Sequence, residues 1–155
     1  MADFEDKILC TAVTDDTRSE ARLCAIQAIY QWQATEAAIT HVLAEFLDGP
    51  VKSRKASKKV FEELFNGATS EQERFTGLIK AHLNEKWTFE RLDSVMQALL
   101  LVATSELSHQ PDTPVKVVIN EYLTLSRAFF DESQVPFVNG ILDKISRQIR
   151  PEEFV

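Results

Sequence analysis

Two arginines, Arg18 and Arg22, lie four residues apart, a spacing that places their side chains one turn apart on a helix. They fall at the start of the first helical stretch, where free backbone amides and the helix dipole also favour an anion. This pair could therefore hold phosphate groups. A solvated pair that offsets Glu20 is the alternative, because exposed charges usually contribute little to binding or stability.

The other reactive side chains are scattered along the chain. The three histidines lie singly on three segments, and Cys10 and Cys24 have neither metal-ligand nor CxxC spacing. The sequence has no P-loop, dinucleotide-binding loop, nucleophile elbow or zinc-protease motif. We therefore expect a binding protein rather than an enzyme, with no catalytic residues, no metal and no cofactor.

The composition indicates a single helical globular unit. The chain has 155 residues, of which 45% are hydrophobic, and its four glycines and five prolines are too few for the turns of a many-stranded β-fold. No apolar run is long enough to span a bilayer, and the N-terminus lacks the pattern of a secretory signal. The sequence predicts an all-α, cytoplasmic protein without a membrane role.

The formal net charge is −7, whereas nucleic-acid-binding proteins usually carry an excess of lysine and arginine. Much of the negative charge lies in residues 1–16, which we predict to be an acidic N-terminal extension. A local positive surface elsewhere is compatible with this balance. One basic cluster consists of Lys52, Arg54, Lys55, Lys58 and Lys59.

Apolar residues recur at helical spacing from residue 17 to about residue 150 and predict about seven helices. Thr17 and Glu20 have the spacing of a capping box, which would open the first helix. The helix predicted at 92–107 is apolar nearly all round at 98–103, so we expect it to be the central, most enclosed helix.

The two Asn-Gly pairs of the sequence lead to different predictions, a helix end at one and a continued helix at the other. Asn66-Gly67 is expected to end the third helix. Asn139-Gly140 alone would favour a hairpin turn, but the apolar stripe around it continues at helical spacing for three turns. We therefore predict a helix there, with Gly140 permitting a close approach between helices.

Several motifs resemble the NusB family. They are AIQAIYQW at 25–32, preceded by Ala21-Arg22, then LLLVATSEL at 99–107, PVKVVINE at 114–121 and FVNGILDK at 137–144. The motifs occur in the family's order and cover most of the chain from Arg18 onward. The resemblance implies two packed helical subdomains, at about 17–86 and 87–150, followed by a tail at 151–155.

The resemblance also implies a transcription antitermination factor. Such a factor pairs with NusE, a small-subunit ribosomal protein, and binds boxA RNA of nascent transcripts, including rRNA, in an assembly on RNA polymerase. The implied RNA-binding residues are Arg18, Arg22, Lys116 and Phe137. Phe137 would stack on an unpaired base, with an ordinary core phenylalanine as the alternative. Tyr30, which lies off the apolar stripe, is the implied NusE-facing residue.

The sequence departs from the family pattern in its basic residues. Ser19 and Glu20 interrupt the arginine cluster of the first helix, and Leu101 stands where the family usually has an arginine. Fewer phosphate contacts predict weaker and less salt-sensitive RNA binding. A protein–protein helical adaptor with little intrinsic RNA binding is therefore the alternative function, and the residues leave open whether the chain forms a homodimer. For the polar signature positions we expect structural hydrogen bonds first: Glu106, Asn120, Glu121 and Asn139.

Overall fold

The computed structural model describes residues 16–84 and 86–155, and the regular structure of these ranges is entirely helical. Seven of the helices in these ranges have ten or more residues, so the predicted all-α fold with about seven helices is confirmed. Short 3-10 turns occupy Phe89–Arg91, Glu132–Gln134 and Pro151–Phe154. The α-helices are α1 Thr17–Ala34, α2 Ile39–Asp48, α3 Pro50–Ser53, α4 Lys58–Ser70, α5 Gln72–Ala81, α6 Ser94–His109, α7 Val115–Phe129 and α8 Val135–Ile149.

Helix α6 is the centre of the fold. Every residue from 98 to 107 is buried, and α6 packs against α1, α4 and α5 as well as against α7 and α8. The prediction that the apolar segment 92–107 forms the most enclosed helix is confirmed. The helix begins two residues later than predicted because the Asp93 side chain caps it by accepting a hydrogen bond from the amide of Val95 at 2.8 Å.

Contacts at the helix ends fix the directions of the C-terminal helices. Arg150, just after α8, donates hydrogen bonds to the carbonyl oxygens of Leu107 and Gln110 at the end of α6, at 2.9 and 2.7 Å. The amide of Val115, at the start of α7, donates to the carboxylate of Glu153 at 3.0 Å. Helix α7 therefore runs antiparallel to α6 and α8, and its first turn lies beside the last turn of α8.

The predicted boundary between two subdomains, at residues 86 and 87, stays a prediction. Helix α6 contacts helices of both proposed subdomains, so these contacts do not mark a boundary. The tail predicted at 151–155 contains a 3-10 turn, and the guanidinium carbon of Arg147 lies 4.4 Å from the ring centroid of Phe154. Residues 1–15, which make up most of the predicted acidic extension and include Cys10, lie outside the described residues.

The start of α1 differs from the predicted capping box. Asp16 is the N-cap, and its carboxylate accepts hydrogen bonds from the amides of Arg18 and Ser19 at 3.0 and 3.2 Å. Glu20 does not reach back to the cap, because its buried carboxylate accepts a hydrogen bond from Nε of Arg54 at 2.6 Å. A buried arginine thus takes the carboxylate that the local pattern assigned to capping.

Asn66-Gly67 does not end the third long helix, because α4 continues to Ser70. Gly67 faces α6 so closely that a Cβ atom there would lie 2.8 Å from Cδ2 of His109 and closer still to Oγ of Ser105. The glycine is therefore needed for the contact between α4 and α6, despite its low helix propensity.

Gly140 shows the opposite outcome. The surrounding segment is helical as predicted, within α8, rather than a hairpin. A Cβ atom at Gly140 would meet no atom within 4 Å, so the close helix approach predicted there was wrong. The same dipeptide thus occupies a packed position in α4 and an exposed position in α8.

We expect Gly67→Ala to lower the free energy of unfolding by about 1–3 kcal/mol, because the added methyl group overpacks the contact between α4 and α6. Gly140→Ala is the matched control and should raise that free energy by about 0.5–1 kcal/mol, since alanine is favoured in an open helical position. Urea denaturation followed by circular dichroism measures both. A Gly67→Ala variant as stable as Gly140→Ala would contradict the assigned contact.

The Asp16 cap predicts a pH-dependent contribution to stability. A hydrogen bond from the amide of Ser19 lowers the pKa of Asp16 below its ordinary value of 3.8. Because the pKa is lower in the folded state, the contribution is present above pH 3.8 and is lost as the pH falls through the folded-state value.

At neutral pH, Asp16→Ala should lower the free energy of unfolding by about 1 kcal/mol, the usual cost of losing an N-cap. This difference from the unsubstituted protein should shrink below pH 3.8, where the unfolded-state carboxyl becomes protonated. Urea denaturation at a series of pH values measures it, with Asp16→Asn as a cap that does not titrate. A difference that is constant down to the lowest pH would exclude the charged cap.

Candidate nucleic-acid interface

Arg22 lies inside the protein, where α1 meets α6 and α7. It is 3% exposed, and its Nε and Nη2 atoms donate to the two carboxylate oxygens of Glu106 on α6, at 2.9 and 2.8 Å. Tyr122 on α7 donates its hydroxyl to Oε1 of Glu106 at 2.8 Å. The two-pronged contact between guanidinium and carboxylate is the strong form of this interaction, and here it joins three helices.

Glu121 extends this group of side chains to the surface. Its Oε2 atom lies 3.5 Å from Nη1 of Arg22 and accepts a hydrogen bond from the Ser19 hydroxyl at 2.9 Å. We call Ser19, Arg22, Glu106, Glu121 and Tyr122 the Arg22 cluster. The cluster fixes the first turn of α1 against α7, as expected for structural roles of Glu106 and Glu121.

The burial of the Arg22 cluster does not neutralise its charges. Desolvation opposes the charge on Arg22, but the hydrogen bonds and negative charge of Glu106 outweigh it and raise the pKa of the guanidinium above its ordinary value. Burial, reinforced by the charge on Glu106, raises the pKa of Tyr122 well above 10. Arg22 therefore stays charged, and Tyr122 keeps the proton that it donates.

The two arginines of the sequence motif occupy different environments. Arg18 is exposed, and its side chain has no ion-pair partner within residues 16–84 and 86–155. Arg22 could reach a phosphate only by giving up Glu106, which would then be buried without a cation. We retain Arg18 as a predicted RNA contact. For Arg22 the geometry favours a role in positioning α1 over the predicted direct contact.

Lys116 and Phe137 lie far apart. Lys116 is exposed in the first turn of α7, which lies beside the end of α8, whereas Phe137 is half-buried in the first turn of α8. At 1.5 Å per residue, about 20 Å of helix separates Phe137 from the end of α8. At about 3.4 Å per nucleotide, only an extended strand of roughly six nucleotides could reach both ends. The predicted RNA-binding residues thus form a track at most, not a compact cluster.

Tyr30 is 8% exposed and belongs to the core, although it lies off the predicted apolar stripe and the family resemblance implies that it faces NusE. The pattern fails because α1 packs against both α4 and α6 and buries residues on more than one stripe. This burial argues against direct contact between the Tyr30 side chain and NusE.

The basic cluster at 52–59 is largely paired with acidic side chains. Arg54 is buried and bonded to Glu20, as described above. The ammonium groups of three of its lysines lie 3.6 to 4.0 Å from carboxylates one helical turn away, in the pairs Lys52 with Asp48, Lys58 with Glu62 and Lys59 with Glu63. The cluster therefore presents much less free positive charge than its sequence indicates.

No metal site or activated nucleophile stands out in the ranges that the structure describes. Those ranges contain no group of three or more histidine, cysteine, aspartate or glutamate residues close enough to hold a metal ion. Burial raises the pKa of the Cys24 thiol to about 12, which leaves it protonated and a poor nucleophile at neutral pH. No described helix is long and apolar enough to cross a membrane.

These observations define the class of protein: an all-α fold in which a buried charge cluster sets the start of α1, with exposed basic side chains on α1, α7 and α8. The sequence model of the NusB family matches residues 19–147. The chain belongs to the NusB family, as its motifs predicted.

Named relatives and solved structures agree over nearly the whole chain. Transcription antitermination protein NusB of Rhizobium rhizogenes is 36% identical over 149 residues, covering 91% of this chain and 92% of that protein. The protein of the same name from Nitrobacter hamburgensis is 35% identical over 161 residues, covering 99% of each. The structure of T. maritima NusB matches with a TM-score of 0.76 and 29% identity, over 91% of this chain and 99% of that one.

A structure of antitermination factors NusB and NusE in complex with dsRNA also contains a chain of this fold. That chain matches with a TM-score of 0.71 and 23% identity, over 87% of this chain and 99% of that one. At this level of identity, the likeness establishes the shared fold.

Two aromatic residues in these contacts were not singled out from the sequence. Tyr122 follows Glu121 and lies on the apolar stripe of α7, so its type and spacing indicate only a core position. Trp87 lies in the connection between α5 and α6, and its ring centroid is 5.8 Å from that of Phe137. The sequence offers one signal for the contact between Trp87 and Phe137, which is a single tryptophan in a largely polar connection.

The Arg22 cluster predicts very different costs for the two arginines. Arg22→Leu should lower the free energy of unfolding by about 3–5 kcal/mol, because it leaves Glu106 buried without its cation. Arg18→Leu is the matched control and should change it by no more than about 0.5 kcal/mol. Adding Glu106→Gln to Arg22→Leu should restore part of the lost free energy of unfolding, because the buried side chain at position 106 is then uncharged. Urea denaturation measures all three, and equal effects of the two single substitutions would contradict the assigned cluster.

Proposed function

We propose that this chain is a transcription antitermination factor that pairs with NusE, the small-subunit ribosomal protein, and binds boxA RNA of nascent transcripts, including rRNA. In this role the pair assembles on RNA polymerase. The chain acts by binding rather than by catalysis, in the cytoplasm. The proposal is supported by membership of the NusB family and by full-length relatives named as transcription antitermination proteins.

The observation that carries the RNA part of the proposal is the exposure of Arg18 and Lys116. In the part of the chain that the structure describes, neither side chain has an acidic partner, so each can approach a phosphate without breaking an ion pair. The hydrogen bond from Ser19 to Glu121 holds the first turn of α1 against α7, the helix that carries Lys116. A phosphate backbone could therefore pass from one cation to the other.

The net charge of −7 favours an RNA site that is shared with a second protein. Salt screens exposed charges over roughly 8 Å under physiological conditions, so a local basic surface can act despite distant acidic residues. Two or three free cations nevertheless give weak binding, since each phosphate contact contributes only modestly. We therefore expect NusE to supply the remaining contacts.

A competing function is a protein–protein adaptor with little RNA binding of its own. The burial of Arg22 and Arg54 favours it, because both guanidinium groups are committed to glutamates inside the protein. The two functions differ in one measurable property, which is whether the pair with NusE distinguishes boxA RNA from scrambled RNA.

Fluorescence anisotropy with labelled RNA at fixed salt tests the proposal. The pair with NusE should bind boxA RNA more tightly than scrambled RNA, and Arg18→Glu or Lys116→Glu should weaken boxA binding about 10-fold or more through lost charged contacts and added repulsion. Lys52→Glu is the control, since it reverses an exposed lysine on α3 that is already paired with Asp48. Its affinity for boxA RNA should be unchanged.

Each variant is first shown to bind NusE, so that loss of the partner is not mistaken for loss of RNA contact. Equal affinity of the pair for boxA and scrambled RNA would refute the RNA part of the proposal. If NusE binding persists in that case, the adaptor is the correct function.

A further inference from the structure

Trp87 is the largest exposed apolar side chain in the described ranges, with 49% of its surface accessible. Tryptophan is highly buried on average, so this exposure in the connection between α5 and α6 is unusual. The ring is supported rather than loose, because its centroid lies 5.8 Å from that of Phe137, with the two planes inclined by 50°. The two side chains form an aromatic surface that is buried against α8 on one side and open to solvent on the other.

The side of α8 that carries Phe137 continues with polar residues. Lys144 and Gln148 follow Phe137 at intervals of seven and four residues, which place all three on one side of the helix. His82, just after α5, lies 2.9 Å from the Gln148 amide oxygen and brings the end of α5 against this side. Lys144 is exposed and has no acidic partner among residues 16–84 and 86–155. An aromatic surface and a free cation thus lie along one edge.

The space next to Trp87 can accept a flat group. Trp87 borders a shallow cavity of about 300 Å³, lined also by Leu83, Asn84 and Phe89. The charged residues of this cavity, Lys80 and Glu90, are paired with each other at 2.7 Å, so they add little net charge. The cavity combines an aromatic face with an amide side chain, as nucleobase sites do.

We propose that Trp87, supported by Phe137, is a base-stacking residue for an unpaired base of single-stranded RNA, and that Lys144 contacts a neighbouring phosphate. This inference rests on the proposed function and deepens it by assigning the position of one base. An unpaired base offers its whole face for stacking, whereas the faces of bases in a duplex are covered by their neighbours.

The surface suits RNA better than a second protein. Specific protein interfaces have a contiguous apolar centre, and the other large apolar side chains exposed in the described ranges lie on different elements: Ile39 on α2, Val117 on α7 and Val155 at the end of the chain. One aromatic pair beside an unpaired lysine is instead the combination found in proteins that bind single strands, where stacking and phosphate contacts alternate.

The two tryptophans of the chain, Trp32 and Trp87, make a direct test possible. In the Trp32→Phe variant, Trp87 is the only tryptophan of this chain, and its emission should be quenched when boxA RNA is added to the pair with NusE. The double variant Trp32→Phe/Trp87→Phe records any emission from NusE itself. Quenching should disappear in that double variant.

Affinity provides the second readout, by anisotropy on the same complexes. Trp87→Ala should weaken boxA binding about 10-fold, while Trp87→Phe should retain most of the affinity because it keeps an aromatic face. Lys144→Gln should reduce the magnitude of the slope of log affinity against log salt concentration by about 1, the change expected for the loss of one phosphate contact. Circular dichroism and NusE binding show that each variant is folded.

The outcomes separate this inference from the proposed function. If the pair with NusE binds boxA RNA specifically but Trp87 emission and the affinity of Trp87→Ala are unchanged, the stacking assignment is wrong and the proposed function stands. If Trp87→Ala instead loses NusE, the surface belongs to the protein partner and the assignment is also wrong. If the unsubstituted pair shows no preference for boxA RNA, both inferences fail.

Discussion

The contact between Arg22 and Glu106 constrains the rest of the structure. It crosses 84 residues of sequence and ties α1 to the central helix, while Tyr122 and Glu121 bring α7 to the same point. A buried ion pair contributes little net stability compared with apolar residues of the same size, but a change that separates it is costly. Two residues earlier, Glu20 makes a pair of the opposite polarity with Arg54. Helix α1 therefore has one register in which both buried charges are matched.

The buried cations of the chain differ in role from the exposed cations that could reach RNA. The guanidinium groups of Arg22, Arg54 and Arg150 are turned inward and organise helices, whereas Arg18, Lys116 and Lys144 face solvent with no acidic partner in the described ranges. An acidic net charge is compatible with these exposed cations, because no carboxylate of the described ranges pairs with them. The aromatic contact of Trp87 with Phe137 adds a surface on which any base could stack, and stacking does not depend on charge.

Helical periodicity was enough to predict an all-α chain, including the helical state of α8 against its local turn signal. The errors concern residues whose environment is set by distant partners. Asn-Gly is the same local turn signal at 66–67 and at 139–140, yet only Gly67 contacts another helix closely. Likewise, the four-residue spacing of two arginines is the same whether both are exposed or, as here, Arg18 is exposed and Arg22 is buried. The burial of Arg22 depends on Glu106 of α6, and the sequence alone does not show that the two meet.

Arg150 has a consequence for the order in which the fold can be completed. Its guanidinium holds the carbonyl groups of Leu107 and Gln110 at the end of α6, together with that of Thr113 in the connection to α7. The cap of the central helix is thus supplied by a residue that follows all eight α-helices of the described ranges. A growing chain can assemble its earlier helices, but the turn from α6 into α7 acquires its final hydrogen bonds only after α8 and Arg150 have been synthesised.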